Sequence, residues 1–362
     1  MFANFDFPHR RYNPLKDEWL IVSPQRSKRP WKGQTESPGG TSQESVPDFD
    51  LANPLCPGGP RPDGTKTPLY TSTYVFPNDY PALVDGAAAK TNEEKGEEEE
   101  EDLFLWEPAE GSCRVMCFHP QSNKQLATMS KIEILRVVDG WVDQVKELAS
   151  QYDWVQIFEN KGQIMGCSNP HPHCQIWCSR YLPNEPKKKR ETQTAWYHKH
   201  GCKKPMLLEY AAKEMKTKER LVVESQHWVV VVPFWAVWPY ETMVLPKLRH
   251  IARLTDLTLE EREDLAAVMK RLLVKYDNLF RCSFPYSMGW AGAPTGRYLE
   301  KEDAAYWQLH AVYLPPLLRS ASVKKFMAGF EMVCEPQRDI TPEVAAQTLR
   351  ELSVVHYLEE QQ

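Results

Sequence analysis

The same run of elements occurs twice along this 362-residue chain: a capped amphipathic helix, a strand, then a strand that carries histidine. In the first half Ser130 is placed to cap a helix over residues 131–150, with Ile134, Val137, Val138 and Trp141 spaced as one apolar stripe. A strand over 154–158 and the His171-Pro-His173 strand follow. In the second half Thr258 caps a helix over 259–280, succeeded by strands over 287–290 and 307–313. His310-Ala-Val312 then stands where the first half has His171-Pro-His173, so only the first half keeps paired imidazoles. An ordered recurrence of this kind points to internal duplication, hence to two similar halves, each with its own sheet and helix.

Further strands are expected over 19–23, 73–76, 114–118, 221–223, 228–233 and 242–245, and a helix over 187–197. Residues 84–103 hold the run Asn92-Glu-Glu-Lys-Gly-Glu-Glu-Glu-Glu-Glu-Asp102, which cannot bury itself and is expected as a disordered surface loop. A net charge of -5 argues against whole-surface binding of nucleic acid. No apolar run is long enough to span a membrane, and the start of the chain lacks a basic stretch leading into an apolar one, so no leader is expected. Nine cysteines, an odd number in a large chain, suit reduced thiols and a cytoplasmic setting.

The chemistry concentrates in Gly166-Cys-Ser-Asn-Pro-His171-Pro-His173-Cys-Gln175-Ile-Trp177. If this stretch is extended, His171, His173 and Gln175 share one face, while Cys174 and Ile176 take the other. Pro172 has no N–H for a ladder and belongs at a strand start or edge, where a site can open. Gly166 offers a tight turn and Ser168 a hydroxyl. A neutral imidazole with a pKa near 6.5 is a competent nucleophile towards phosphorus. One ring nitrogen must face phosphorus while an acceptor holds the N–H of the other, and Gln175 and Ser168 can donate to phosphate oxygens. The tripeptide alone fits a metal pair or a packed strand equally well.

Longer blocks narrow the choice. Arg26-Ser-Lys-Arg29-Pro-Trp-Lys-Gly-Gln34, Asn53-Pro-Leu-Cys-Pro-Gly58, Asn78-Asp-Tyr-Pro-Ala-Leu83, Phe158-Glu-Asn-Lys-Gly162, the His-Pro-His block, Val232-Pro-Phe-Trp-Ala-Val-Trp-Pro-Tyr240, Pro285-Tyr-Ser-Met-Gly-Trp290 and Lys325-Phe-Met-Ala-Gly-Phe-Glu331 occur in one order. In that order they resemble the galactose-1-phosphate uridylyltransferase family of the histidine-triad superfamily, over nearly the whole chain. The resemblance implies an α+β fold of two histidine-triad-like halves (1–190 and 191–362), antiparallel half-barrel sheets flanked by helices, in a homodimer. It implies ping-pong UMP transfer, in which UDP-glucose uridylylates His173, glucose 1-phosphate leaves, and galactose 1-phosphate takes UMP as UDP-galactose. Gln175 and Ser168 then match phosphoryl contacts, and Arg26 and Arg29 match phosphate-side cations. Asn78, Asp79, Asn160, Gly166 and Cys167 fall where the family holds uridine and phosphate. Lys325, Phe326, Phe330, Glu331 and Gln337 match a C-terminal segment that meets the sugar nucleotide. Phe330 replaces a tyrosine usual there and removes one hydroxyl.

The resemblance breaks at the metals. Bacterial members of the family bind zinc through two cysteines and two histidines, and a second metal through a glutamate and three histidines. The first set aligns here with Asn53, Cys56, Ser122 and His171, of which Cys56 and His171 remain ligands. The second aligns with Lys189, Ala291, His310 and Val312, of which only His310 remains. The expectation is therefore a weak or absent first metal, no second metal, and chemistry that needs neither. Two competing readings are a related phosphorylase or hydrolase of another nucleotide sugar or dinucleotide, and a non-catalytic sugar-nucleotide binder.

Overall fold

Both long helices start with a reciprocal capping box. Ser130 Oγ accepts from Glu133 N while the Glu133 carboxylate accepts from Ser130 N at 2.7 Å; Thr258 and Glu261 repeat the exchange at 2.8 Å. Helix α1 (Lys131–Leu148) buries Ile134, Val137, Val138 and Trp141 completely, and α4 (Leu259–Phe280) buries Leu265, Met269, Leu272 and Leu273. The computed structural model describes residues 9–22, 47–86, 103, 107–301, 304–316, 318–320, 323–324 and 327–360. Arg26, Arg29, Lys325, Phe326 and the whole acidic run Asn92–Asp102 lie outside the described residues.

Strands β1 (His9–Asn13), β2 (Glu18–Val22), β3 (Tyr74–Pro77), β4 (Gly111–Cys117), β5 (Trp154–Lys161) and β6 (His173–Ser179) come from the first half. The second half supplies β7 (Leu221–Glu224), β8 (Trp228–Val231), β9 (Thr242–Pro246), β10 (Tyr286–Ala291), β11 (His310–Leu314), β12 (Leu318–Ser320), β13 (Val323–Lys324) and β14 (Gln337–Arg338). Helix α2 (Asn184–Lys199) bridges the halves, and the second also holds α3 (Met206–Thr217), α5 (Tyr298–Lys301), α6 (Phe330–Val333) and α7 (Pro342–Glu351).

Nine strands form one antiparallel sheet in the order β3-β4-β6-β5-β10-β11-β9-β8-β7. The halves thus fuse edge to edge at β5 and β10, the strand that follows the long helix in each, with Ser287 opposite Asn160. Antiparallel pairing of equivalent edges leaves no unpaired edge at the junction. Helices α1 and α4 share one face of the sheet, where Ile157, Cys174, Ile176, Met288 and Trp290 meet them in the main core.

On the other face the halves differ. In the second half Met206, Leu207 and Ala211 of α3 and Leu15, Leu20 and Val22 from the N-terminal segment cover Val229, Val231, Met243 and Leu245. In the first half that face presents the half-buried Phe158, Asn160, His173, Gln175 and Trp177. Among the described residues the two halves are thus covered differently, and the first half carries a cleft on this face.

Candidate active site

Strand β6 lies between β4 and β5, with Cys117 opposite His173 and Phe158 opposite Gln175. A turn brings Ser168 over this strand. Gly162 holds φ at 90° and Gly166 at 79°, a left-handed geometry that a side chain would strain, with a 3-10 turn over Gln163–Met165 between them. Together β5, the turn and β6 enclose a cleft of about 270 Å³, open to solvent, lined by Phe158, Asn160, Gly166, Cys167, Ser168, His173, Cys174 and Gln175. Six of the residues singled out from sequence meet here.

The His173 ring has one committed nitrogen. Its Nδ1 lies 2.7 Å from the carbonyl oxygen of His171. A carbonyl only accepts, so Nδ1 carries the proton and Nε2 keeps its lone pair. Nε2 has no hydrogen-bond partner among the described residues, and desolvation holds the ring below its ordinary pKa of 6.5, hence neutral. Gln175 Oε1 accepts from Trp177 Nε1 at 2.9 Å and from Asn78 Nδ2 at 3.4 Å, while its Nε2 is uncommitted. Asn160 Oδ1 accepts from Ser287 Oγ at 2.8 Å, which turns its amide nitrogen the other way. The cleft therefore offers one nucleophilic nitrogen with amide and hydroxyl donors around it, and no charged side chain among its lining residues.

His171 does not share this surface, contrary to the strand reading. The strand begins at His173, so the alternation does not reach back two residues. His171 is 1% exposed, with Tyr70 Oη 2.7 Å from Nε2 and Ser122 Oγ 3.0 Å from Nδ1. Tyr70 donates to the Leu55 carbonyl at 2.7 Å, so it accepts from His171 Nε2–H, and Ser122 donates to Nδ1. Burial pushes the ring down to about 4. Asn53, the next position of the implied zinc set, exchanges two amide hydrogen bonds with Asn169 at 2.8 and 2.9 Å. The lone pairs of His171 Nδ1 and Asn53 Oδ1 are spent on protein donors, and no group of three or more His, Cys, Asp or Glu converges among the described residues. The set does not fit zinc.

The second implied metal position fits no better, because Lys189, Ala291 and Val312 leave His310 as its single imidazole. His310 repeats the His173 arrangement, as the first residue of its strand with Nδ1 2.9 Å from the Gln308 carbonyl, but it is fully buried against Trp307. Desolvation, with the nearby Lys189 ammonium, pushes it down to about 3.

The remaining candidate residues that are described lie outside the cleft lining. Asp79 is paired with Arg61 at 2.5 Å, and Arg61 sits 4.0 Å over the Phe76 ring. Phe330 is 54% exposed on α6, and the Glu331 carboxylate is taken by the buried Arg338 and by Gln337 N at 3.3 Å. Trp177, Ser287, Tyr70, Arg61 and Arg338 carry no site signal of their own in the sequence. Trp177 was within reach, since it stands two residues beyond Gln175 on the same face; Ser287 depends on the β5–β10 register, for which the sequence carries no local signal.

Residues 2–183 match the family of galactose-1-phosphate uridyl transferase N-terminal domains, and residues 188–361 match that of the C-terminal domains. The chain is 54% identical over 359 residues to a probable galactose-1-phosphate uridylyltransferase of Drosophila melanogaster, covering 99% of both. It is 53% identical to the galactose-1-phosphate uridylyltransferase of Rattus norvegicus, over 98% of this chain and 90% of that one. A solved structure described as a uridylyltransferase superposes with a TM-score of 0.71 at 27% identity, covering 94% of this chain and 97% of the other.

Proposed function

This chain belongs to the galactose-1-phosphate uridylyltransferase family, and from that membership we propose the reaction it runs and the groups that run it. It is a nucleotidyltransferase of galactose metabolism that moves UMP from UDP-glucose to galactose 1-phosphate. His173 Nε2 attacks the α-phosphorus of UDP-glucose; the Nε2–P bond forms, the α-phosphorus–bridging oxygen bond breaks, and glucose 1-phosphate departs with the electron pair. The ring then bears a positive charge, which the His171 carbonyl on Nδ1–H stabilises. A phosphate oxygen of galactose 1-phosphate attacks the same phosphorus, UDP-galactose leaves, and the lone pair returns to Nε2. No proton needs to move in either half. Gln175 Nε2, Asn160 Nδ2 and Ser168 Oγ donate to the phosphoryl oxygens as charge builds. Arg26 and Arg29 are assigned the phosphate charges by family position, Asn78 and Asp79 the uridine and phosphate, and Lys325, Phe326, Phe330, Glu331 and Gln337 the sugar nucleotide and its hexose.

The carrying observation is the 2.7 Å contact that commits Nδ1 and leaves Nε2 bare. We assign the enzyme to the cytoplasm as a homodimer, and without structural metal because neither implied ligand set keeps more than two of its four ligands. Mixing the protein with UDP-glucose should yield a covalent UMP adduct, detected by intact mass, before and after dialysis against EDTA. His173→Gln should yield none. Free UMP without an adduct, or an adduct abolished by EDTA, would refute this scheme.

A further inference from the structure

The Gln175 carboxamide has two nearly isosteric orientations, and only one presents a donor to the cleft. Trp177 decides between them. Its indole nitrogen carries a proton and no lone pair, so the Gln175 atom 2.9 Å away must be the oxygen. Were the amide reversed, two N–H donors would face each other. Asn78 Nδ2, at 3.4 Å, approaches the same oxygen and adds to the bias. Trp177 is itself fixed, since its ring stands edge-on to Phe158 with centroids 5.5 Å apart, and Phe158 lines the cleft. Its backbone lies between Cys113 of β4 and Gln156 of β5, in the interior of the sheet.

We infer that Trp177 is a positioning residue of the UMP transfer: its indole N–H locks the Gln175 carboxamide with the amide nitrogen turned towards the phosphoryl group on His173. Trp177 touches no reacting atom. This inference rests on the proposed role of Gln175, and its consequence is kinetic. With the lock in place the donor is aimed before charge develops; without it the amide samples both orientations, and part of the transition-state stabilisation is lost while ground-state binding persists.

The test is a double-mutant cycle of Trp177→Phe and Gln175→Met in the full-length protein, scored by the single-turnover rate of UMP adduct formation from UDP-glucose. Trp177→Phe keeps an aromatic ring on Phe158 and removes the N–H. It should slow adduct formation about tenfold with KM for UDP-glucose changed less than about twofold, and should have no further effect once Gln175 is Met. The same penalty in both backgrounds, or none in the wild-type background, would overturn the inference in favour of a packing role. Should Trp177→Phe not fold, Gln175→Met alone gives the answer: one tryptophan indole N–H resonance should move upfield as its acceptor is removed, and no movement would overturn the lock. The premise is scored separately, since Gln175→Met with an undiminished adduct rate would remove Gln175 from the proposed chemistry even if the resonance moved.

Discussion

At His173 reactivity is set by which nitrogen keeps its proton. The His171 carbonyl fixes that choice, and burial then determines the pH range over which the lone pair is available. Desolvation disfavours the charged imidazolium, so protonation requires a lower pH than for a free histidine. The carbonyl contact opposes this without reversing it. In the proposed scheme the neutral form is the nucleophile, so the acid limb of kcat/KM for UDP-glucose should fall with an apparent pKa below 6.5, and the rate should be nearly flat above it. A limb centred above 6.5 in a pH–rate profile would contradict this account of the ring's environment.

At the scale of elements, the turn between β5 and β6 sets the site. Gly162 adopts φ of 90°, and a Cβ there would lie 2.8 Å from Pro285 Cβ, so the turn that delivers Ser168 tolerates no side chain at its first residue. Gly162→Ala should cost about 1–3 kcal/mol of stability and shift the turn, slowing adduct formation more than about tenfold. Gly64, with φ of 83° and no atom within 4 Å of a built Cβ, supplies the control. Gly64→Ala should share the backbone strain and leave the adduct rate nearly unchanged. Denaturant titration and the adduct assay on both variants separate the two effects. Equal rates in both would show that the turn does not position Ser168.

Over the whole molecule, a charged knot ties the terminal segments to the sheet. Glu343 on α7 takes Arg11 of β1 through both oxygens at 2.9 and 3.0 Å and Arg220 at 2.8 Å, and Arg220 also holds Glu214 of α3 at 2.8 Å. Burial alone would raise the Glu343 carboxyl, but the two guanidinium groups bring it down to about 2. The folded protein therefore gains stability from Glu343 fully above the unfolded value near 4.5 and loses it as pH falls towards 2. Glu343→Gln should lower unfolding free energy by about 2–3 kcal/mol at pH 7, with the gap from wild type narrowing below pH 4.5. Urea titrations at pH 7, 5 and 3.5 test this, and a gap of constant size would exclude the linkage.

Helix α1 could be read from Ser130, Glu133 and a stripe at i, i+3, i+4 and i+7, and α4 from Thr258 in the same way, because a cap and its helix lie within a few residues of each other. The length of α4 and the strands around His173 follow from the same local patterning, as does the identity of the candidate nucleophile. Hidden from the sequence were β1, which pairs with β2 in a separate small sheet, and α3 and α7, which are short and pack on the second half of the main sheet. By itself the amino-acid order determined the duplicated element plan, the family, and which imidazole, carboxamides and hydroxyl are available for phosphoryl chemistry. Only the tertiary structure decided that His171 turns into a hydrogen-bonded pocket while His173 faces the cleft, that Ser287 arrives from the other half, and that Trp177 dictates the orientation of Gln175. Local periodicity specifies which side of a strand a residue takes; ring tautomers, amide orientations and cross-sheet contacts depend on groups distant in sequence, which only the folded register brings within hydrogen-bond range.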